Sequence, residues 1–263
     1  MSDNYQELNR KSWNMRTEAH LKSDFYDNVG FIAGRNSLNS IELDLLGDVS
    51  GKSVLHLQCH FGQDTISFTR LGAKATGVDL SDAAIEAART LAQETKSDTE
   101  FVCCDIYDLP QHLEGQFDIV FTSYGTIGWL PDLDRWAAVV HHFLKPEGQL
   151  LLVEFHPFVW SFDNDFTTIG YDYFNRAAIH ETQSGTYAER EAPIQIEYVS
   201  WNHPISEVVN ALIGAGLHIE AFHEYDYSPY DCFSHIVEDE PGKFRIEKFG
   251  NRLPMVYACS ARP

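Results

Sequence analysis

Residues 54–62, Val-Leu-His-Leu-Gln-Cys-His-Phe-Gly, constrain this chain more than any other stretch. An apolar run of strand length ends in a tight turn holding one glycine, and Gln63-Asp64-Thr65 then open an amphipathic segment. A second short strand, Ala75-Thr76-Gly77-Val78, ends in Asp79. Strand, backbone-lined turn, helix and an acid at the next strand's tip make a nucleotide-binding half of an α/β sheet. The turn brings backbone N–H groups close to a ligand, and the acid accepts hydrogen bonds from ribose hydroxyls. Two positions where such turns usually carry glycine hold Gln58 and His60. A dinucleotide needs those glycines so that its pyrophosphate can reach the backbone and the helix N-terminus. A ligand without phosphate suits this turn better, which argues against a nicotinamide dinucleotide.

The alternation continues along the chain. Ser53–Leu57 reads as a strand, Asp64–Leu71 as a helix and Ala75–Val78 as a strand. Ser81 caps an alanine-rich helix to about Ala92. Glu100–Cys103 is a third strand, and Phe117–Thr122 a fourth, apolar but for Asp118 and Thr122 as suits a buried parallel strand. A helix over Asp132–Leu144, a turn at Lys145-Pro146-Glu147-Gly148 and a fifth strand at Gln149–Phe155 follow. The order predicts a Rossmann-like α/β fold with right-handed crossovers.

Regularity stops at residues 157–200, which hold nine aromatics, seven acids and two arginines with no sustained period. That is too long for a connecting loop and predicts a lid over a substrate. A helix at Pro204–Ala215, a strand at Leu217–Phe222 and a last strand at Leu253–Ser260 complete the pattern. The expected sheet is seven-stranded and mostly parallel with an antiparallel last strand. Residues 1–48 read as a helical N-terminal cap, and the whole of 1–263 as one domain.

Composition narrows the partners. With 39 acids against 19 lysines and arginines the net charge is −20, which repels phosphate backbones and anionic lipid. No nucleic acid and no membrane are expected. The chain has no apolar run long enough to span a bilayer and a polar start rather than a secretory signal. Five cysteines in no even framework fit a reducing, cytoplasmic setting. A monomer or homodimer is expected.

Five features in order, spanning residues 50–261, make the chain resemble a class I S-adenosylmethionine-dependent methyltransferase. The family's acid-x-Gly-x-Gly-x-Gly loop matches His56, Gln58, His60 and Gly62, with only the last glycine kept. The acid after the second strand matches Asp79, and the acid after the third matches Asp105. Phe117-Asp118-Ile119-Val120-Phe121-Thr122-Ser123-Tyr124 matches the fourth-strand motif, and Leu144-Lys145-Pro146-Glu147-Gly148 the turn before the fifth strand. The loop itself looks like that of a small-molecule subgroup in which Leu-His-Leu-Gln-Cys-His-Phe-Gly replaces the glycines. The resemblance implies S-adenosylmethionine as cofactor and a small-molecule acceptor methylated at oxygen or nitrogen. It places Gln58, Cys59, His60 and Gly62 around the methionine arm, Asp79 on the ribose and Leu80 on the adenine. Asp105 would accept from the adenine amino group, Ile106 would donate its N–H to the ring, and Tyr124 would border the methyl-donor site. A histidine replaces the acid at position 56. Two readings stand: His56 points into the core, or another group, Tyr26 or the Gln58 backbone, takes the ammonium.

Methyl transfer needs alignment and, for a protonated acceptor, a base. His156, immediately after the fifth strand, is the residue placed for that role, and a strand cap is the equal alternative. His203 and His223 are weaker candidates. Trp160, Phe162, Tyr171, Tyr173 and Phe174 could enclose an acceptor or form the lid's own core. Tyr5, Trp13 and Tyr26 are expected to close over the cofactor. His56, Cys59 and His60 carry metal-ligand chemistry, but on a strand and its turn their side chains diverge, so no metal is expected. A protein that binds the cofactor without methylating is the alternative function.

Overall fold

The computed structural model describes residues 4–263. Its central sheet contains β1 (Ser53–Leu57), β2 (Lys74–Asp79), β3 (Glu100–Cys103), β4 (Phe117–Ser123) and β5 (Leu144–Phe155), followed later in the chain by β8 (His218–Tyr225) and β11 (Val256–Arg262). The strand order is β3-β2-β1-β4-β5-β11-β8. β1 to β5 run parallel, and β11 pairs antiparallel with both β5 and β8. The expected seven-stranded sheet with its antiparallel last strand is therefore present.

Period-2 alternation sends neighbouring residues of each strand to opposite faces. Leu55, Leu57, Leu150 and Leu152 pack on one side with Trp136, Phe143 and Leu212, from α6 (Leu133–Phe143) and α7 (Ile205–Gly214). Val54, Leu151 and Val153 face the other way, onto Phe68 of α4 (Gln63–Arg70) and onto Ile41 of α3 (Ser40–Leu46). Trp136 and Phe143 are wholly buried, and each such side chain contributes about 2 kcal/mol through burial. The helix starts are closed by side chains. Ser81 accepts from the Ala84 N–H at the head of α5 (Asp82–Glu94), and Asp132 from the Arg135 N–H at the head of α6. Asn39 and Glu42 form a capping box on α3.

Three differences from the expected elements have local causes. The segment Lys145–Gly148 bulges within β5 instead of ending before it. Leu144 already pairs with Phe117, and the register resumes with Ile119 opposite Gln149. β11 begins at Val256, later than expected, because a short 3₁₀ turn at Gly250–Arg252 precedes it. A hairpin of β9 (Ile236–Glu240) and β10 (Lys243–Ile246) fills the stretch between β8 and β11, which the sequence pattern leaves unassigned. The buried Arg245 ties it down through Asp226, Asp239 and Glu240.

Residues 157–200 carry a second antiparallel hairpin, β6 (Ile179–Ser184) with β7 (Gln195–Ser200). It lies against α1 (Tyr5–His20), where the Asn9 amide donates to the Val199 carbonyl and accepts from the Val199 N–H. Among the described residues no helix is long and apolar enough to cross a membrane.

Candidate active site

Strand order reverses between β1 and β4, and open α/β sheets bind ligands at the carboxyl ends of the strands at such a point. A cavity of about 780 Å³ opens there, large enough for a nucleoside-sized ligand together with a small partner. Its floor is the β1 loop with the tips of β2 and β3. One wall is the turn after β4. Its roof comes from α1, the β6–β7 hairpin and residues 230–234.

The loop after β1 keeps a glycine-like backbone without the glycines. Gln58 and His60 have φ of +56° and +52°, in the left-handed region that costs side chains energy. Side-chain and backbone contacts hold both in place. The Gln58 amide donates to the Thr126 carbonyl, 2.9 Å, and the His60 N–H donates to Asp79, 2.8 Å. Gly62, at φ +81°, does need its glycine, since a Cβ there would sit 2.6 Å from the Phe101 ring. Cys59 is buried beneath the loop, and burial pushes its thiol well up. Gln58 Oε1 is a buried acceptor without a donor among the described residues.

Asp79 accepts from the N–H groups of His60 and Ser81, one on each oxygen, at 2.8 Å. Burial still raises its carboxyl to about 6. Asp105 accepts from the Tyr107 N–H and from the Gln6 amide of α1, so the N-terminal helix reaches this acid directly. Leu80 and Ile106 line the cavity beside them. Tyr5, Trp13 and Tyr26 all line it too, and the Tyr26 hydroxyl meets that of Tyr187 from the 157–200 segment at 2.5 Å.

On the opposite wall Tyr124 lines the cavity with φ +41°. Its hydroxyl donates to Glu42, 2.9 Å. Glu42 is fully buried, and burial raises its carboxyl to about 7. The turn after Tyr124 is pinned by Glu154 of β5, which accepts from the N–H groups of Gly125, Thr126 and Ile127. This in turn fixes Trp129, whose ring N–H donates to the Gly125 carbonyl, 2.7 Å.

The histidines divide. His56 is buried and lines the cavity. Its Nδ1 meets Thr65 Oγ1 at 2.9 Å and its ring packs on Phe121, so burial drops it to about 3 and keeps it neutral. That is the core placement of the two readings. His60 Nε2 lies 2.9 Å from His20 Nδ1 of α1, and burial lowers both far below their ordinary value. His156 is not among the cavity-lining residues. Its Nδ1 accepts from the Phe158 N–H and its Nε2 pairs with Glu224, 3.0 Å. Both ring nitrogens are spent on capping β5, so the geometry withdraws His156 as a base. His203 lines the cavity with Nε2 on the Leu130 carbonyl and Nδ1 on Glu207. His223 lies on β8 opposite Ala258, outside the cavity.

Sequence pattern does not single out Arg16, Glu42, Trp129 or Tyr230, which stand on α1, on α3 and in turns with no motif around them. Glu154 carries a readable signal: a lone acid in the otherwise apolar run Leu150–Phe155 of a buried strand.

Comparison with known proteins agrees with this architecture. Residues 54–148 match the family model described as a methyltransferase domain. The ubiquinone biosynthesis O-methyltransferase of Nitrosococcus oceani is 28% identical over 133 residues, 49% of this chain and 56% of that protein. The chain thus spans a little over half the length of the first curated relatives it matches. An S-adenosylmethionine-dependent methyltransferase from Mesorhizobium loti superposes with a TM-score of 0.58 at 19% identity, covering 88% of this chain and 100% of that one. A glycopeptide N-methyltransferase bound to S-adenosyl-L-methionine gives 0.55 at 18% identity, over 85% and 86%. Residues 54–148 therefore resemble a methyltransferase domain, set in a sheet like that of S-adenosylmethionine-dependent methyltransferases.

Proposed function

We propose that this chain transfers a methyl group from S-adenosylmethionine to an oxygen or nitrogen of a small organic acceptor. One observation carries the reading. The 58–62 loop, Asp79, Asp105 with Ile106, and Tyr124 meet around a single cavity at the switch point of the sheet. The domain match and the named relatives support it. When bound, the cofactor supplies the electrophilic methyl on a sulfonium.

The residues present fit that group. Gln58 Oε1, buried without a donor, is suited to accept from an ammonium. Each Asp79 oxygen takes one backbone amide and retains a lone pair for a ribose hydroxyl. Asp105 and Ile106 are placed for the adenine edge and Leu80 for its face. Nothing in the loop requires a phosphate.

For an acceptor that loses a proton, Tyr124 and Glu42 replace His156 as the acid–base pair. An acceptor hydroxyl would pass its proton to the Tyr124 oxygen while the Tyr124 proton passes to Glu42. The proton ends on a carboxyl whose raised pKa, about 7, matches the task.

The test has two arms. S-adenosylhomocysteine is titrated into wild type and Asp79→Ala by calorimetry, and its release from S-adenosylmethionine is assayed across phenols, hydroxy acids and amines. The expected result is a loss of about 100-fold in affinity in the variant, the worth of two hydrogen bonds to a charged group, with turnover on a member of the panel. Equal affinities would sink the ribose assignment. Tight binding without turnover on any acceptor would turn the reading to a cofactor-binding protein that does not methylate.

A further inference from the structure

Three arginines line the cavity, and two of them are neutralised. Arg35 pairs with Asp27 and Arg190 with Asp231. Arg16, on α1, is different. It is 3% exposed and makes no ion pair with any carboxylate among the described residues. Its guanidinium carbon lies 4.8 to 5.3 Å from the ring centres of Trp13, Trp129 and Tyr198. Its polar contacts are neutral: the Ser12 hydroxyl and, at 3.4 Å, the Gln183 amide oxygen. Glu181 of the same hairpin spends its oxygens on the hydroxyls of Tyr171 and Tyr198.

A buried cation without a counter-charge is costly. The ring faces offset part of that cost, and the fork, bonded only to Ser12 and Gln183, is left without an anionic partner. A guanidinium fork matches a carboxylate through two parallel hydrogen bonds. The residues around it come from α1, the turn after β4 and the β6–β7 hairpin. In a chain of net charge −20, placing the one unneutralised arginine of the cavity there selects for an anion that the surface otherwise repels.

We propose that Arg16 binds a carboxylate of the methyl acceptor, so that the substrate is an organic acid flanked by Trp129 and Tyr198. This rests on the methyl-transfer reading for the word acceptor, and on the cavity alone for the anion. Benzoate serves as the probe, because it combines a carboxylate with an aromatic face, and benzamide as its neutral control. Both are titrated by calorimetry at fixed ionic strength into wild type, Arg16→Gln and Arg16→Lys, with and without saturating S-adenosylhomocysteine.

Benzoate is expected to bind wild type in both states and benzamide at least tenfold more weakly. Arg16→Gln should lose at least tenfold in benzoate affinity with S-adenosylhomocysteine affinity within about twofold. Arg16→Lys keeps the charge and loses the fork; it should fall between, and it stands in if the glutamine variant does not fold. No benzoate binding by wild type, or equal binding by Arg16→Gln, overturns the proposal. So does a third pattern, in which S-adenosylhomocysteine competes with benzoate and Arg16→Gln weakens that ligand but not 5′-methylthioadenosine. Arg16 would then hold the carboxylate of the cofactor. If the chain binds no S-adenosylhomocysteine at all, the methyl-transfer reading fails, while the cofactor-free benzoate titration still tests Arg16.

Discussion

The floor of the cavity and its roof are held by different physics. The floor is backbone: the 58–62 loop and the tips of β2 and β3 are fixed by amide hydrogen bonds to Asp79 and Asp105 and by close packing of Gly62 on Phe101. The roof is side chain: the Tyr26–Tyr187 phenol pair and the Asn9–Val199 bonds join segments far apart in sequence, and Glu181 bridges Tyr171 to Tyr198 within residues 157–200. Backbone geometry does not adjust to a new ligand, whereas a layer of rings and long side chains can be exchanged without touching the sheet. The floor is thus suited to a constant ligand and the roof to a particular one.

The largest expected effect attacks the floor. Gly62→Ala combines a left-handed backbone with a clash on Phe101 and should cost about 3 kcal/mol in denaturant unfolding. S-adenosylhomocysteine binding should fall with it. An unchanged unfolding midpoint would show that the floor yields and would erase the contrast.

A smaller effect is expected on the wall between them. Tyr124→Phe and Glu42→Gln should each lower turnover about 30-fold and leave S-adenosylhomocysteine affinity within twofold. The pH dependence sharpens this. The folded pKa of Glu42, about 7, lies above its unfolded value of about 4.3. Its contribution to stability is therefore full below about pH 4 and is lost as pH rises through 7, on the order of 3 kcal/mol in all. Turnover should move oppositely, rising toward pH 7 as the carboxylate becomes able to accept a proton. Glu42→Gln should flatten both curves, and a wild-type rate independent of pH between 5.5 and 8 would remove the pair from the chemistry.

The smallest effect is reserved for the roof. Arg245→Met, in the hairpin that follows the roof segment 230–234, loses the pair with Asp226 and the hairpin's own pairs with Asp239 and Glu240. The acceptor KM should rise about fivefold with S-adenosylhomocysteine affinity unchanged. An equal loss for both ligands would mean that roof and floor are one unit.

The same division governs what could be read before the structure was known. Val54–Leu57, Ala75–Val78 and Phe117–Thr122 announce themselves because a buried parallel strand demands a mostly apolar run, and Asp79 and Asp105 follow the second and third strands. The two left-handed backbones were hidden, since Gln58 and His60 are residues that normally avoid that region. His156 follows the strand, but its ring turns to Glu224, while Glu154 and Phe155 line the cavity. The roof was readable only as irregularity. Its hairpins are defined by pairing with distant partners, and nothing local in residues 226–252 signals that they cover a ligand. Arg16 and Glu42 lie on helices whose charged residues look solvent-facing until α1 and α3 are docked.

The reciprocal bond between Asn9 and Val199 joins positions 190 apart in the chain. Contacts of that span form late, because the loop they close must be ordered first. The first helix therefore gains this anchor only once the β6–β7 hairpin exists, although it precedes the hairpin in the chain. A roof closed by such contacts can open while the sheet stays intact, so exchange of ligands can draw on its motion.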